Sequence, residues 1–206
     1  MTEDEVLATL DVSRETSDRL KIYAALVRKW TPAINLVSKS SVSDLWGRHI
    51  LDSAQILQYA PDNCGHWVDL GSGGGFPGLV VAILAAERSP AMRVTLVESD
   101  LRKATFLRQV AQDCALNTTI CAERAEDINP MSADVLSARA LAPLSQLLPL
   151  AKRHLAQGGT AIFPKGAHAA NELAESLEHW RFSVQKHPSV TDPNAVILCI
   201  GDIERA

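Results

Sequence analysis

The stretch "DLGSGGGFPG", residues 69–78, decides how this chain of 206 residues is interpreted, because half of its residues are glycine. Glycine lets the backbone turn sharply and lets a ligand lie against it without meeting a side chain. Two fingerprints overlap here. One is a G-x-G-x-G set after the acid Asp69, and the other is the G-x-G-x-x-G set of a dinucleotide site. The first set comprises Gly71, Gly73 and Gly75, and the second comprises Gly73, Gly75 and Gly78.

Both fingerprints require a loop between a strand and a helix, and the sequence around the stretch predicts that context. The apolar run at 66–70 predicts the strand, and the apolar residues at 76–87 predict the helix. The next predicted strand ends in Glu98, whose carboxylate can accept hydrogen bonds from both hydroxyls of a ribose. We therefore expect a cofactor that contains a nucleoside.

Three features favour S-adenosylmethionine over NAD as that cofactor. Asp69 would repel a pyrophosphate, whereas it could meet the amino acid portion of S-adenosylmethionine through the ammonium group or through water. Ala125, Glu126 and Asp127 follow the third predicted strand, where an adenine edge could be bound. The last two predicted strands form an antiparallel pair, unlike a typical dinucleotide sheet. None of these features decides alone, so an NAD(P)-dependent oxidoreductase stays an alternative.

The alternation of short apolar runs with helical patterns predicts an α/β fold with a mostly parallel sheet. We expect one domain, with a Rossmann-like core at 63–206 and a helical N-terminal extension at 1–62. The connection between the last two runs is too short for a crossover helix, so we expect them to pair antiparallel. The predicted strands are 66–70, 93–98, 118–122, 134–138, 160–164, 181–186 and 195–200, and the predicted helices of the core are 76–87, 101–115, 143–156 and 168–180.

Local signals divide the N-terminal extension into helices. Thr2 and Glu5 form a capping box that predicts the start of the first helix. Ser41 and Asp44 predict a later start in the same way. Between these two starts, Pro32 is expected to limit a helix or to begin a new turn.

Charge and composition restrict the classes of function. The net charge is −4, yet residues 21–50 carry five basic residues against one acid, a balance of +4. Such a segment suits nucleic acid, although solvated helix faces would look the same. The four cysteines form no C-x-x-C pair and no metal-ligand spacing with the six histidines, which favours reduced thiols and no metal site. No apolar run is long enough for a bilayer and no signal peptide is present, so we expect a cytoplasmic protein without a membrane partner.

An ordered series of motifs over about residues 20–170 resembles the bacterial small-subunit ribosomal RNA methyltransferase G family, also called glucose-inhibited division protein B. The glycine loop alone would be a weak signal, and the ordered set is specific. The motifs are "NLVS" at 35–38, "RHILDS" at 48–53, "DLGSGGGFPG" at 69–78, "RKATFLRQV" at 102–110, "ERAED" at 123–127, "SARALAPL" at 137–144 and "PKG" at 164–166. The chain departs from the family at "DPNAVILCI", where members often carry a basic residue just before the last apolar strand.

The resemblance implies the class I S-adenosylmethionine-dependent methyltransferase fold, with a mostly parallel seven-stranded sheet and an antiparallel last strand. It implies methyl transfer to N7 of a guanine in the decoding region of 16S rRNA, within the small ribosomal subunit, by a protein that we expect to be a monomer. Carried over residue by residue, the cofactor contacts would fall on Gly71, Phe76, Ala125, Glu126 and Arg139. The loop argument adds Gly73 and Glu98.

Guanine N7 carries a lone pair and no proton, so its methylation needs no general base, and we assign no catalytic residue. We hypothesise that phosphates of the RNA are contacted by Lys29, Lys39, Arg48 and Lys165. Two further alternatives stay open beside the oxidoreductase. One is a methyltransferase for small molecules, which would have no use for the basic segment, and the other is a non-catalytic RNA-binding module that has kept a cofactor pocket.

Overall fold

The computed structural model describes residues 1–206 and contains one seven-stranded sheet. The strand order is β3-β2-β1-β4-β5-β7-β6; β1 to β5 pair in parallel, and β7 is antiparallel to both β5 and β6. The predicted mixed sheet and its antiparallel last pair are therefore confirmed. The strands are β1 (His66–Leu70), β2 (Arg93–Val97), β3 (Thr118–Cys121), β4 (Ala133–Ala138), β5 (Leu155–Lys165), β6 (Trp180–Pro188) and β7 (Val196–Arg205).

Seven α-helices accompany the sheet, and the ends of two of them can be compared with the predictions for Thr2 and Pro32. Thr2 and Glu5 make both hydrogen bonds of the capping box. Pro32 lies inside its helix, which continues to Ile34 and ends where Asn35 adopts a left-handed backbone, so the expected limit at Pro32 is wrong by two residues. The helices are α1 (Glu3–Leu10), α2 (Arg14–Ile34), α3 (Asp52–Ala54), α4 (Gly78–Arg88), α5 (Leu101–Asp113), α6 (Leu144–His154) and α7 (Ala169–Leu177).

The chain from residue 42 to residue 59, which we call the bridging segment, changes its helical winding along its length. A 3₁₀ turn, a π-helix, the short α3 and a second 3₁₀ turn follow one another without a break. The helical start predicted at Ser41 is confirmed, since the winding begins at Val42, but the predicted cap is wrong: the Ser41 hydroxyl makes no cap and donates to the carbonyl oxygen of Ser38. A residue that caps with its side chain typically has an extended backbone, whereas Ser41 has φ −96° and ψ −10°.

Two hydrophobic clusters cover the two faces of the sheet. One packs α1, α2 and the bridging segment together with α4 and α5, and the other packs α6 and α7. In α4 every residue from Gly78 to Ala85 is buried, and a Cβ atom on Gly78 would overlap the side chains of Leu96 and Asp69. Gly78 is thus required for close packing of α4 on the sheet. No helix is both long and apolar enough to span a membrane.

Candidate functional site

Two cavities open where the carboxyl ends of β1, β2, β4 and β5 meet, which is where ligands bind in open α/β sheets. The smaller cavity has a volume of about 200 Å³ and the larger one about 880 Å³. Leu141 and Ala142, in the loop that follows β4, line both cavities. This loop therefore forms the wall that the two cavities share.

The backbone angles of the glycine loop between β1 and α4 show which of the two overlapping glycine sets shapes the turn. Gly71, Gly73 and Gly75 have φ angles of 64°, 56° and 93°, in the left-handed region that other residues rarely adopt. Gly78 has no such angle and begins α4. The loop is open above Gly73, where a Cβ atom would meet no heavy atom closer than 3.8 Å. The first glycine set thus shapes the turn, and the last glycine serves helix packing.

Asp69 acts beneath this loop and lines neither cavity. Its carboxylate is completely buried and accepts hydrogen bonds from the Ser137 hydroxyl at 2.7 Å and from the Gly78 N–H at 3.2 Å. Burial raises the pKa of Asp69 to about 6, and the hydrogen bonds that its carboxylate accepts from Ser137 and Gly78 oppose that shift. The expectation that Asp69 meets a cofactor directly is wrong, because its oxygens are turned inward to β4 and to the start of α4.

Glu98 ties the end of β2 to the glycine loop. One carboxylate oxygen accepts the N–H of Gly73 and the other accepts the N–H of Asp100, both at 2.8 Å, and the residue is 8% exposed. Asp100 in turn caps α5 through the N–H of Arg102. Since each carboxylate oxygen can accept a second hydrogen bond, the arrangement leaves acceptor capacity beside the loop.

The smaller cavity brings together three of the residues predicted to bind the cofactor. Gly71 contributes from the glycine loop, and Ala125 and Glu126 contribute from the loop between β3 and β4. α6 closes the cavity with Gln146 and Leu150, which lie one turn apart on the same helix face. The end of β2 completes the wall with Val97 and Ser99.

Arg139 and Phe76, the other two residues carried over from the resemblance, form a cluster with His49. The guanidinium of Arg139 lies 5.3 Å from the centre of the Phe76 ring. The centres of the His49 and Phe76 rings are 5.0 Å apart. Arg139 donates to the Asp52 carboxylate at 3.0 Å, to the Arg48 carbonyl at 3.2 Å and to His49 Nδ1 at 2.7 Å. Arg139 is therefore the clamp between β4 and the bridging segment.

His49 is held neutral in this cluster. Burial is the main cause that lowers its pKa to about 4, and the neighbouring positive charges of Arg139 and Arg48 lower it further. With Arg139 donating to Nδ1, the ring proton lies on Nε2, which is buried and has no partner in the protein. His49 thus adds no positive charge to the larger cavity near neutral pH.

The cations predicted to contact RNA are distributed unevenly. Arg48 and Lys165 line the larger cavity, whereas Lys29 and Lys39 are exposed and line neither cavity. The Lys165 ammonium donates to Glu172 at 2.8 Å and to the Ala142 carbonyl at 2.9 Å. Lys165 is therefore paired within the protein, while the exposed Arg48 side chain forms no ion pair.

Sequence reasoning missed the residues that hold the predicted ones in place. Asp52 lies in the quoted "RHILDS" motif and received no role, although the spacing of an α-helix would place it on the same face as His49, three residues earlier. The Tyr23 hydroxyl donates to the Gly74 carbonyl at 2.7 Å, yet Tyr23 looked like an ordinary apolar helix position. Ser137 gave no local signal, because its partners Asp69 and Trp67 are about 70 residues away in the chain.

Comparisons with known proteins agree with this geometry. A model of the GidB family, described as rRNA small subunit methyltransferase G, matches residues 16–196. Two proteins named Ribosomal RNA small subunit methyltransferase G, from Ruegeria sp. (strain TM1040) and Ruegeria pomeroyi, are each 54% identical to this chain over 95% and 96% of both sequences, respectively. The crystal structure of M. jannaschii TYW2 in complex with AdoMet shares the class I methyltransferase fold, with a TM-score of 0.54, 13% identity, and coverage of 82% of this chain and 78% of that chain.

The burial of Asp69 predicts a pH dependence of stability. Its pKa of about 6 in the folded protein exceeds the value of about 3.9 of an unfolded chain, so the folded state binds the extra proton between these values. The stability contributed by this proton is complete below pH 4 and is lost as the pH rises through 6. In urea unfolding from pH 4 to 7.5, the unfolding free energy of the wild type relative to Asp69→Asn should fall by about 2 kcal/mol, because about half of the unfolded chains are already ionised at pH 4.

The Asn side chain has nearly the shape of Asp and keeps an acceptor for the Gly78 N–H, but it does not ionise. The difference between the two proteins therefore reports the ionisation of Asp69. A difference between the two proteins that stays constant over this pH range would contradict the prediction.

Proposed function

The chain belongs to the rRNA small subunit methyltransferase G family, and from this membership we propose that it transfers a methyl group from S-adenosylmethionine to N7 of a guanine in the decoding region of 16S rRNA. The family decides against the oxidoreductase alternative. The observation that carries the proposal is the pair of cavities that share the Leu141–Ala142 wall, since transfer requires a cofactor and a base to meet. The enzyme acts as a monomer in the cytoplasm, where its ribosomal substrate is found.

The residues around the smaller cavity fit the cofactor. The turn is open at Gly73 and accepts a ligand against the backbone there, whereas Gly71 lies against the Leu141 side chain. Glu98 offers carboxylate oxygens to a ribose.

Ala125 and Glu126 would border the adenine in the smaller cavity. Phe76 and Arg139 would border the amino acid portion from the far side of the Leu141–Ala142 wall, since Arg139 lines the larger cavity and Phe76 is buried beside it. When bound, S-adenosylmethionine supplies a methyl group on a sulfonium sulfur. The sulfur keeps the electron pair of the broken S–CH₃ bond and becomes a thioether.

The protein's own contribution to the transfer is positioning and charge placement, which can be worth several kcal/mol in the transition state. Guanine N7 attacks with a lone pair and has no proton to lose, so no side chain has to act as a base. His49 stays neutral and Arg139 is balanced by Asp52, so the cluster at the larger cavity adds little net positive charge against a sulfonium. The loop after β4 is held at both ends, by Arg139 and by the Lys165–Glu172 pair, which hydrogen-bonds to the Ala142 carbonyl and the Leu144 N–H.

The proposal is tested by methylation of small subunits and naked 16S rRNA from a strain that lacks this gene. Purified protein and radioactive S-adenosylmethionine should label one guanine of the decoding region in at least one of these substrates. Borohydride reduction and aniline cleavage, which cut RNA at 7-methylguanine, locate that nucleotide. Reactions without protein provide the control, and label at another atom or in no RNA would overturn the proposal.

Two variants distinguish binding of the cofactor carboxylate or the RNA by Arg139 from its role as a clamp. Arg139→Ala and Asp52→Asn both break the same ion pair, and each should lower the free energy of unfolding by about 1–3 kcal/mol. If Arg139 also binds a ligand, Arg139→Ala should lower the methylation rate at least about tenfold more than Asp52→Asn.

Initial rates on rRNA and melting temperatures of both variants provide the comparison. Losses of rate that are equal in the two variants would leave Arg139 with the clamp alone.

We propose that RNA phosphates are contacted by Lys29, Lys39, Arg48 and Lys165, and Arg48 offers the sharpest test because it is exposed at the larger cavity without an acid partner. Loss of one phosphate contact should reduce the slope of log K against log salt by about 0.7. Arg48→Ala should show this reduction in RNA-binding titrations.

Arg93→Ala is the matched control, since Arg93 is also exposed but lies at the amino end of β2, on the opposite edge of the sheet. Equal slopes for the wild type and Arg48→Ala would remove Arg48 from the set.

A further inference from the structure

His154 is a buried side chain that no function has yet explained. It is the last residue of α6, it is completely buried, and its Nε2 lies 2.8 Å from the carbonyl oxygen of Ala125. A carbonyl oxygen only accepts, so Nε2 carries the ring proton and donates it. Burial lowers the pKa of His154, so the ring is neutral, and its buried Nδ1 has no partner.

A second side chain of the same helix end holds the same loop. Arg153 donates to the carbonyl oxygen of Ile128 from Nε at 3.2 Å and from Nη2 at 2.8 Å. The loop between β3 and β4 has few hydrogen bonds of its own, the one between the Asp127 N–H and the Arg124 carbonyl being an example. Its path past the smaller cavity is therefore fixed from outside, by the last turn of α6.

The hydrogen bond from His154 also fixes the direction of the Glu126 N–H. The peptide between Ala125 and Glu126 is planar and trans, so its carbonyl and its N–H point in opposite directions. Since the carbonyl points to buried His154, the N–H of Glu126 points away from it, and it has no acceptor in the protein. Both residues line the smaller cavity. A fixed N–H donor at a cavity wall suits the acceptor nitrogens of a purine.

We infer that His154 is the positioning residue of the purine subsite, and that it holds the Ala125–Glu126 peptide so that its N–H meets the adenine of the cofactor. This inference rests on the proposed use of S-adenosylmethionine. His154 touches neither cofactor nor substrate, since it acts through the peptide alone. Gln146, Leu150 and His154 recur at intervals of four on α6, so one helix face forms the wall of the subsite and also sets its donor.

The test compares two polar replacements of similar size. His154→Gln puts an amide N–H close to the position of Nε2 and should bind S-adenosylhomocysteine within about threefold of the wild type. His154→Asn puts its amide near the position of Nδ1, too short to reach the Ala125 carbonyl, and should weaken binding about tenfold. Binding of 5′-methylthioadenosine, which lacks the amino acid portion, should weaken by the same factor because both ligands carry adenine.

Three further measurements separate positioning from general destabilisation. His154→Asn should raise the KM for S-adenosylmethionine at nearly unchanged kcat. Hydrogen exchange of residues 122–130 should accelerate in the Asn variant and not in the Gln variant. Leu147→Ala, a buried change on the same helix away from both cavities, should lower the melting temperature without this loss of affinity.

The outcomes also separate this inference from the proposed function. Wild-type protein that binds neither adenosine ligand would overturn the proposed cofactor and the role of His154 together. Wild-type protein that binds both, with His154→Asn binding equally well or His154→Gln losing as much affinity as the Asn variant, would overturn the role of His154 alone. If His154→Asn does not fold, the affinity and loop exchange of His154→Gln decide the question.

Discussion

The buried carboxylate of Asp69 is the constraint on which the rest of this structure depends. It sits on β1 and accepts hydrogen bonds from Ser137 on β4 and from the first N–H of α4, and Ser137 accepts from the indole of Trp67. A buried charge is costly unless it is hydrogen-bonded, so the sheet, the glycine loop and α4 must adopt one mutual arrangement to satisfy it. The missing side chain of Gly78 makes room for this contact, since a Cβ atom would overlap Asp69.

The N-terminal helices are part of the site as well as a cover for the sheet. The Tyr23 hydroxyl of α2 holds the glycine loop at Gly74, and burial raises the pKa of Tyr23 well above its usual value, so it remains a donor. Asp52 accepts from Arg139, the residue that follows β4, and from Thr191 in the connection between β6 and β7. The bridging segment therefore joins the middle of the sheet to its antiparallel edge, and the larger cavity lies between them.

The sequence predicts features that depend on local pattern, and it fails where distant residues decide. All seven strands lie where short apolar runs predict them, but β5 begins at Leu155, inside the helix predicted over 143–156, and β7 continues to Arg205 beyond the predicted 195–200. Thr2 caps α1 because the capping box involves only four neighbouring residues. Ser41 carries the same local signal and the chain does become helical after it, but as 3₁₀ and π turns, and the Ser41 side chain makes no cap. The pairing of Lys165 with Glu172 and the inward turn of Asp69 depend on contacts that one sequence does not display.

The charges around the larger cavity show how such a site can accept an anionic polymer without being strongly basic. Arg139 and Lys165 are each paired with a carboxylate and hold the two ends of the loop after β4. These cations serve to fix the wall against which a base and a cofactor would meet, and Leu141, 41% exposed, is the apolar part of that wall. Long-range attraction for phosphates then depends on exposed cations outside the pairs, such as Arg48, because a paired charge has little field beyond its partner. The paired cations thus build the cavity, with Lys165 also placed to contact a phosphate there, and the exposed cations attract the polymer from a distance.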